Sequence, residues 1–408
     1  MRPLADVQAE VLDTVEPLPV RRVGYREAYG LVLAEPVYAP EDVPPFPNSA
    51  MDGYAVRAED VAEPPVELVV VEEVGAGRVP TKTVEPGTAI AIMTGAPMPA
   101  GADAVVKVED TEPGEGTVRI LAGVEPGRNV RPAGGDMAAG TLALEAGTRL
   151  WHPQLALLAA IGAQPTVRRR PVVAILSTGD ELVPPETEHL GPGMIRDTNR
   201  TMLRGALEEL GVTVVDRGIV PDDPASLTRV LGHAAAQADV VVTSGGVSMG
   251  EYDVVKAALR GEIGFHRVAM QPGKPFAFGT LDGVPFFGLP GNPVSVLVSF
   301  EQFVRPAILE MMGAVRLFRP RITAVAAEAL DTDPAKEVFV RVAVEFSPEP
   351  TVRRSGDQSS NVLSALAAAD GFAVVPVGRG RVEPGEAVDV ELFRCPERRT
   401  RREALGGR

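Results

Sequence analysis

The chain has 408 residues, of which 45% are hydrophobic and 23% are charged, and its formal net charge is -15. This length predicts about two to four domains rather than one core. The negative charge argues against general binding of nucleic acid or anionic membranes, because both require a basic surface. No run approaches the roughly 18 apolar residues of a membrane span, and the first residues lack the apolar core of a signal peptide. We therefore expect a cytoplasmic protein.

The single cysteine, Cys395, cannot form an internal disulfide, and the four histidines show no metal-ligand spacing. Residues 396–408 form a basic tail, which we interpret as a solvated terminus. Neither feature indicates a function.

The first part of the chain is predicted to be a helical domain, residues 1–50 and 137–169, with an inserted β domain at 51–136. Val7, Val11 and Leu12 have helical spacing, and Pro153 suits the first turn of a later helix. Between them the chain is strand-like, and Glu-Pro-Gly recurs at 85–87, 112–114 and 125–127, which predicts turns. Two loops of the insert place Thr94 and Asp136 beside glycines, and such loops are more often turns than sites.

Residues 170–315 alternate strands and helices, which is typical of a parallel α/β domain. Asn199 is expected to cap one helix, Asp223-Pro224 to begin a second, and Asn292-Pro293 to begin a long third one. Residues 318–395 return to a strand pattern and predict a small β-barrel or sandwich.

Three strands of the α/β region end in polar, glycine-bearing loops. The apolar run Val240–Val242 leads into Thr243, Ser244, Gly245, Gly246 and Ser248, and then into Glu251 and Asp253. The other two strands lead into the segments 177–181 (STGDE) and 288–293 (GLPGNP). Hydroxyls and free N–H groups suit an oxyanion, and ligands of open α/β sheets collect at the carboxyl ends of strands. Acids next to an anion site indicate that a cation lies between the acids and the anion. The residues therefore predict a site that binds a phosphorylated ligand together with a metal ion.

Eight stretches, taken in order, resemble the MoeA family of molybdopterin molybdenumtransferases, which includes the E domain of gephyrin. They are NSAMDGYA (48–55), IMTGAPMPAGAD (92–103), RPAGGDMAAG (131–140), STGDEL (177–182), PDDP (221–224), TSGGVSMGEYD (243–253), MQPGKPFAFG (270–279) and GLPGNPVS (288–295). The resemblance implies an elongated homodimer with a MogA-like α/β domain that binds adenylylated molybdopterin. It also implies insertion of molybdate with Mg²⁺-dependent release of AMP, and it makes the molybdopterin adenylyltransferase a candidate partner.

The resemblance also carries roles to individual residues. It implies catalytic roles for acids and a hydroxyl at Asp52, Thr94, Asp136, Glu181, Asp222 and Asp253, with Mg²⁺ held by Glu181 and Asp253. Carboxylates are suitable ligands for Mg²⁺, which keeps several waters. The residues implied to bind substrate are Thr243, Ser244, Gly245, Gly246, Ser248, Lys274, Pro290, Gly291, Asn292, Pro293, Ser295 and Arg341. Because Asp52 and Thr94 lie on the inserted domain, the resemblance implies that the partner subunit supplies them.

One position departs from the family pattern. Some members carry Lys-Pro-Gly-Lys where this chain has Gln271-Pro272-Gly273-Lys274. If both lysines bind molybdate in those members, half of that charge is missing here. Arg267 and Arg341 are candidates to replace it, and a harmless loop substitution is the other interpretation.

Two alternatives stay open at this point. A molybdopterin adenylyltransferase or a CinA-like nucleotide hydrolase shares only the α/β domain and does not need the region of Asp52, Thr94 and Asp136. A non-catalytic scaffold does not need the acids. A P-loop NTPase is excluded because Lys274 is followed by Pro275, and a dinucleotide-binding dehydrogenase because no G-x-G-x-x-G follows the first strand of the α/β domain. The sequence does not separate molybdate from tungstate.

Overall fold

The computed structural model describes residues 1–246, 263–346, 348–394 and 401. The chain divides into two compact units. The smaller unit comprises Arg22–Tyr29 and Leu33–Val167, and the larger one comprises Met1–Arg21, Gly30–Val32 and Arg168–Arg408.

The longer helices in the described residues bury one apolar face, whereas the two between residues 293 and 311 are buried on nearly all sides. In the first helix Leu4, Val7 and Val11 are buried, as their spacing predicts. The helices are α1 (Leu4–Thr14), α2 (Tyr25–Ala28), α3 (His152–Ala160), α4 (Asn199–Leu210), α5 (Pro224–Ala235), α6 (Pro293–Ser299), α7 (Arg305–Met311) and α8 (Leu363–Ala367). A π-helical segment, Phe300–Val304, joins α6 to α7 and gives the long helix expected from Asn292-Pro293. No helix in the described part of the chain is long and apolar enough to cross a membrane.

The ends of α4 and α5 show how the sequence sets helix boundaries. The Asp223 carboxylate accepts a hydrogen bond from the Ser226 backbone N–H at 2.7 Å, which confirms the predicted start of α5. Gly211, with φ +77, ends α4 in the left-handed conformation. The predicted cap of α4 is wrong by one residue, because Thr198 occupies the N-cap position and Asn199 is the first helical residue.

The inserted β domain is a six-stranded sheet in the smaller unit. From residue 20 to residue 168 the strands are β1 (Val20–Arg22), β2 (Val37–Tyr38), β3 (Asn48–Ser49), β4 (Gly53–Val56), β5 (Val66–Val74), β6 (Thr88–Ile92), β7 (Ala104–Lys107), β8 (Thr111–Pro113), β9 (Thr117–Ile120), β10 (Val130–Arg131), β11 (Leu142–Leu144) and β12 (Thr166–Arg168). The sheet order is β7-β4-β6-β5-β9-β8. Neighbouring residues such as Ala55 and Val56 enter separate apolar clusters, so both faces of this sheet are covered.

Helix is less extensive around this sheet than the spacing predicts. Residues 137–165 contain α3 but also strand β11, which pairs with β2. Gly140 and Gly147 have φ of +80 and +79, a conformation that a right-handed helix does not contain. The expected helix is therefore confined to His152–Ala160.

The α/β domain lies in the larger unit, and its central strands are parallel and buried as predicted. The strands of this region are β13 (Val172–Thr178), β14 (Leu182–Val183), β15 (Ile195–Arg196), β16 (Thr213–Val220), β17 (Val240–Ser244), β18 (Ile263–Arg267), β19 (Met270–Gln271), β20 (Pro275–Leu281) and β21 (Val284–Leu289). Strands β14 and β15 pair with each other outside the main sheet. The sheet order is β16-β13-β17-β21-β20-β18.

This sheet is mixed rather than wholly parallel. Strand β20 pairs antiparallel with β21 and with β18. The reason is local, because Asp282 and Gly283 both have positive φ, +50 and +82, and form a two-residue hairpin turn.

The C-terminal strands close into a small barrel in the same unit. They are β22 (Arg321–Ala326), β23 (Leu330–Asp331), β24 (Glu337–Glu345), β25 (Thr351–Arg354), β26 (Gly371–Val375), β27 (Arg381–Val382) and β28 (Ala387–Leu392). The ring runs β24-β25-β22-β28-β26 and returns to β24. Strand β19 of the α/β region adds in parallel to β24, with Met270 opposite Glu337 and Gln271 opposite Val338. The barrel is therefore joined to the α/β domain by backbone hydrogen bonds.

Candidate active site

The larger unit contains a cavity of about 1410 Å³ between the α/β domain and the barrel. The carboxyl ends of β13, β17 and β21 form one wall, represented by Thr178, Ser244 and Pro290. Barrel residues, including Lys336 and the segment 358–361, form another. The volume exceeds the roughly 300–1,000 Å³ typical of sites for drug-sized ligands, so it accommodates a nucleotide-sized molecule.

The loop after β17 approaches its neighbour too closely for a side chain. Gly245 has φ +92, and a Cβ there would lie 2.5 Å from the carbonyl oxygen of Thr178. Ser244, Gly245 and Gly246 line the cavity, whereas Thr243 is fully buried and does not. The glycines thus keep this part of the wall open to a ligand. The predicted residues Ser248 and Asp253 lie outside the described residues.

Asn199 joins two of the strand-end loops. Its Nδ2 donates to Ser244 Oγ at 2.8 Å and to the carbonyl oxygen of Gly291 at 2.6 Å. The sequence assigned this residue to helix capping, and the structure instead makes it a brace between the loops after β17 and β21. Its Oδ1 and the Thr178 hydroxyl are buried and have no hydrogen-bond partner among the described residues. Such polar atoms at the wall of a cavity favour a polar ligand.

The loop after β21 contributes several predicted binding residues. Pro290, Gly291, Asn292, Pro293 and Ser295 all line the cavity. This loop is bonded to the barrel, because Asn292 Nδ2 donates to Ser360 Oγ at 3.0 Å and the Val294 N–H donates to the Ser360 carbonyl oxygen at 3.1 Å. The α/β and barrel walls of the cavity are therefore held together at this point.

Acids gather at the ends of β13 and β16. Glu181 and Asp222 line the cavity, and the Asp222 backbone N–H donates to Asp180 Oδ1 at 3.0 Å. Partial desolvation and the charges of Asp180 and Glu181 raise the pKa of the Asp222 carboxyl, against the Asp180 backbone N–H, which lowers it. Gly179 permits this crowding, because a Cβ there would lie 2.6 Å from the Glu181 carboxylate. No group of three or more His, Cys, Asp or Glu in the described ranges is placed to hold a metal ion.

Arg341 does not line the cavity, which corrects its predicted role in direct binding. Its residue is 1% exposed, and its guanidinium donates to the carbonyl oxygens of Asp357, Ser359 and Val362 at 2.9 to 3.2 Å. Burial lowers its pKa. Arg341 therefore positions the barrel loop that carries Gln358 and Ser360 into the cavity wall. Arg267 is also absent from the lining residues.

In the smaller unit, Asp52 and Thr94 are hydrogen-bonded to each other. The Thr94 backbone N–H and hydroxyl both donate to Asp52 Oδ1, at 2.7 and 2.8 Å. These two bonds, the backbone one first, lower the pKa of the Asp52 carboxyl. The pair joins the loop after β3 to the loop after β6.

Asp136 lies on a neighbouring loop of the same unit. Strand β10, which pairs with β3, ends five residues before Asp136, and the Asp136 backbone N–H donates to the Val43 carbonyl oxygen at 2.9 Å. Its side chain is exposed. The three predicted residues of the insert thus lie on loops linked through β3, whereas Glu181 and Asp222 belong to the larger unit.

Three family models match successive parts of the chain, and the middle one describes a probable molybdopterin binding domain. The MoeA N-terminal region (domain I and II) matches residues 2–162, the probable molybdopterin binding domain matches 174–310, and the MoeA C-terminal region (domain IV) matches 323–393.

Individual relatives agree over nearly the whole length. The molybdopterin molybdenumtransferase 2 of Mycobacterium tuberculosis is 42% identical over 397 residues, which cover 94% of this chain and 97% of the relative. The molybdopterin molybdenumtransferase of Haemophilus influenzae is 39% identical over 384 residues, 92% and 95% of the two chains. The crystal structure of the molybdopterin biosynthesis MoeA protein of Pyrococcus horikoshii superposes with a TM-score of 0.82 at 31% identity, covering 96% of this chain and 100% of that one.

The chain belongs to the MoeA family of molybdopterin molybdenumtransferases. This membership confirms the predicted fold class, the transferase class and the place in molybdenum cofactor biosynthesis. Because the matches include the N-terminal and C-terminal regions, they exclude the alternative of an enzyme that shares only the α/β domain with this family.

Proposed function

We propose that the protein inserts molybdate into adenylylated molybdopterin in the cytoplasm and releases AMP, with Mg²⁺ as the metal ion. The observation that supports this proposal is the cavity of the larger unit. Glycine-bearing and hydroxyl-bearing loops line it together with acids, and lysines line another part of its wall. A phosphoanhydride ligand needs N–H and hydroxyl donors, and a cation near its phosphates needs carboxylates. Both sets of groups line this one cavity.

The donors of the α/β wall suit the pterin nucleotide. Ser244, Gly245 and Gly246 line the cavity together with residues 290–293 and Ser295, and this set includes two hydroxyls and one carboxamide. Asn199 holds the two loops at a fixed separation through its bonds to Ser244 and Gly291. We assign these loops to the phosphates and the pterin, with Ser248 as a further donor.

The acids suit a divalent cation. Glu181 would hold Mg²⁺ with Asp253, and Asp222 would act beside them. The electrostatics of the described acids fit this role, because desolvation and then the charges of Asp180 and Glu181 raise the pKa of Asp222, and a cation would relieve the repulsion among these acids. Bound there, Mg²⁺ would neutralise phosphate charge as AMP leaves.

We propose that the protein is a homodimer with a shared active site. We propose that Asp52, Thr94 and Asp136 reach the cavity of the partner subunit. Mixing an inactive Asp52→Ala chain with an inactive Asp253→Ala chain should then restore partial activity through heterodimers. Absence of recovery under proven subunit exchange would contradict a shared site.

The reaction is tested by chromatographic measurement of AMP released from adenylylated molybdopterin. We expect release only when molybdate and Mg²⁺ are both present. Release at the full rate in excess chelator would contradict the metal assignment. No release under any of these conditions would overturn the proposed function itself.

A further inference from the structure

Strand β16 contains one extra residue shortly before the acids at its end. Strands β13 and β16 pair in parallel, but residues 175–177 of β13 lie opposite residues 216–219 of β16, which is one residue more. The additional residue makes a β-bulge, in which Gly218 has φ +77. Because a shift of one residue moves every later side chain to the other face, this bulge decides how the end of β16 meets the cavity.

The acids at the strand ends depend on this bulge. Beyond it, Thr178 of β13 lies opposite Val220 of β16. Asp180 and Asp222 each follow this pair by two residues, and the Asp222 N–H donates to Asp180 Oδ1 at 3.0 Å. Without the extra residue Asp222 would follow the pair by three residues and would not stand level with Asp180.

The side chain of Asp216 holds the bulge. Its Oδ1 accepts a hydrogen bond from the Gly218 N–H at 2.8 Å. Arg200 of α4 donates to both of its carboxylate oxygens at 2.7 Å, and Arg204, one turn later, donates to Oδ2 at 2.7 Å. Partial desolvation alone would raise the pKa of the Asp216 carboxyl, but the hydrogen bonds from the two arginines outweigh it and lower the pKa. The carboxylate therefore stays ionised and joins the bulge to α4.

Arg200 has a second acid partner at the start of α4. Its Nε donates to Asp197 Oδ2 at 2.9 Å, and its backbone N–H donates to Asp197 Oδ1 at 3.2 Å. Asp197 is 1% exposed, and the side chain of Arg200 is 17% exposed. The residue before Arg200 is Asn199, which braces the loops after β17 and β21. One guanidinium thus connects the start of α4 to the bulge. Neither Arg200 nor Asp216 is among the described residues that line the cavity.

We propose that Arg200 is a positioning residue for the reaction. Through Asp197 it fixes the start of α4, and with it the Asn199 brace. Through Asp216 it fixes the bulge, and with it the end of β16 that carries Asp222. The inference rests on the proposed function, because it concerns how the loops assigned to the phosphates and the acids assigned to Mg²⁺ are aligned with each other.

The chemistry of arginine suits this link. A guanidinium is a rigid plane whose Nε and terminal nitrogens donate in different directions, so that one side chain can bond to two carboxylates at once. A lysine ammonium is a single point charge on a flexible stem and does not reproduce this geometry. The link therefore depends on the shape of Arg200 as well as on its charge.

The main test is Arg200→Lys, which keeps the charge and loses the two-sided geometry. We expect the kcat of AMP release to fall about tenfold or more, because small misplacements of reacting groups by distant substitutions have effects of this order. The KM for molybdate should stay within about twofold, since no side chain that lines the cavity is changed. Arg204→Lys is the matched control. Arg204 also pairs with Asp216, has no hydrogen bond to Asp197 among the described residues, and should keep kcat within about twofold of wild type.

Amide hydrogen exchange measured by mass spectrometry separates positioning from a general loss of stability. Segment 219–222 contains the Asp222 N–H, and segment 243–246 contains the Gly245 N–H, which donates to the Leu289 carbonyl oxygen at 3.1 Å. In Arg200→Lys we expect exchange about tenfold faster in both segments, while the barrel strand β26 keeps its wild-type rate. In Arg204→Lys segment 243–246 should exchange as in wild type. A variant that is only less stable would exchange faster in the barrel as well.

Asp216→Asn provides the same test if Arg200→Lys does not fold. The asparagine keeps an oxygen for the Gly218 N–H but loses the charge that pairs with Arg200. We expect the segments 219–222 and 243–246 to exchange about threefold faster, a smaller effect because the bond between Arg200 and Asp197 remains.

The exchange measurement also distinguishes failure of this inference from failure of the proposed function. Faster exchange in both segments supports the link even if wild type releases no AMP, in which case only the proposed function fails. Wild-type exchange in segment 243–246 of Arg200→Lys, or of Asp216→Asn if only that variant folds, would overturn the inference. An unchanged kcat in an active Arg200→Lys enzyme would overturn it too. Equal effects in Arg204→Lys would also contradict it, because Arg204 has only the bulge side of the link.

Discussion

Two acidic centres of this protein, one in each compact unit, have opposite electrostatics. In the smaller unit the Asp52 carboxylate accepts two hydrogen bonds from Thr94, which lower its pKa. In the larger unit Asp222 lies near Asp180 and Glu181, and desolvation with their charges raises its pKa. The first acid already has donors in the folded chain, whereas the second is held near other acids.

The difference indicates different roles for Asp52 and Asp222, although the family resemblance implies a catalytic role for both. A carboxylate that accepts hydrogen bonds from a neighbouring loop stabilises the contact between the two loops and stays ionised. Acids that repel one another reduce stability and are typical of sites that bind a cation or move a proton. The strand-end acids are therefore the better candidates for the metal, and Asp52 is better placed to fix the Thr94 loop.

The largest effect is expected at Glu181. Glu181→Gln keeps the size of the side chain and removes its charge, so a cation at the strand ends loses a ligand. We expect AMP release to fall about a hundredfold or more, while binding of the pterin nucleotide is retained. Glu186→Gln, five residues later and not lining the cavity, is the control. An equal loss in both variants would remove the distinction between the acid cluster and a general charge effect.

Gly245 tests whether the strand-end wall must keep its backbone geometry. At φ +92 and with the Thr178 carbonyl oxygen 2.5 Å from a Cβ, Gly245→Ala forces the wall to shift. We expect a loss of stability of about 1–3 kcal/mol and much weaker pterin-nucleotide binding. Gly283→Ala has a similar φ of +82 and no atom within 4 Å of its Cβ, so it should lose stability but not binding. Retained binding in Gly245→Ala would contradict a ligand at this wall.

Thr94→Val tests the acidic centre of the smaller unit. It removes the hydroxyl donor and leaves the backbone N–H, so the pKa of Asp52 should rise toward the ordinary value of about 3.9. Because the folded pKa is lowered, the contribution of Asp52 to stability is present above the unfolded pKa and is lost as the pH falls through the folded one. Acid unfolding of the variant should therefore begin at a higher pH. An unchanged acid transition would show that the pair does not stabilise its loop.

The smallest effect is expected at Asp222. Its folded pKa is raised, so its contribution to stability is full below the unfolded pKa and is lost as the pH rises through the folded pKa. Asp222→Asn removes the repulsion and can still accept the Asp180 N–H. We expect a gain at pH 7 of about 0.5 kcal/mol or less, because solvent screens this exposed group, and no gain at low pH. Urea unfolding at pH 7 and at low pH measures this change in the free energy of unfolding. A loss of stability at pH 7 would contradict repulsion among these acids.

The strand ends were predictable from sequence because their signals are local. An apolar run followed by hydroxyls and glycines placed Ser244, Gly245 and the loop 290–295 at one wall. The antiparallel strand β20 had a local signal too, the Asp282-Gly283 pair, which is typical of a hairpin. The contacts of Asn199, Lys336 and Arg341 depend on which distant strands and loops come together. The pairing of β19 with β24, for example, brings Gln271 to Lys336, and no short-range pattern contains that register.

The most direct test of whether the strand-end acids bind the divalent cation is a measurement of Mn²⁺ binding. The electron paramagnetic resonance signal of free Mn²⁺ reports how much of the ion is bound. With AMP present as the adenylate half of the ligand, wild type should bind Mn²⁺, and Glu181→Gln should weaken that binding about tenfold or more. Asp52→Asn should bind as wild type does, since its carboxylate is already satisfied by Thr94. Wild-type affinity in Glu181→Gln, or an equal loss in Asp52→Asn, would contradict the claim.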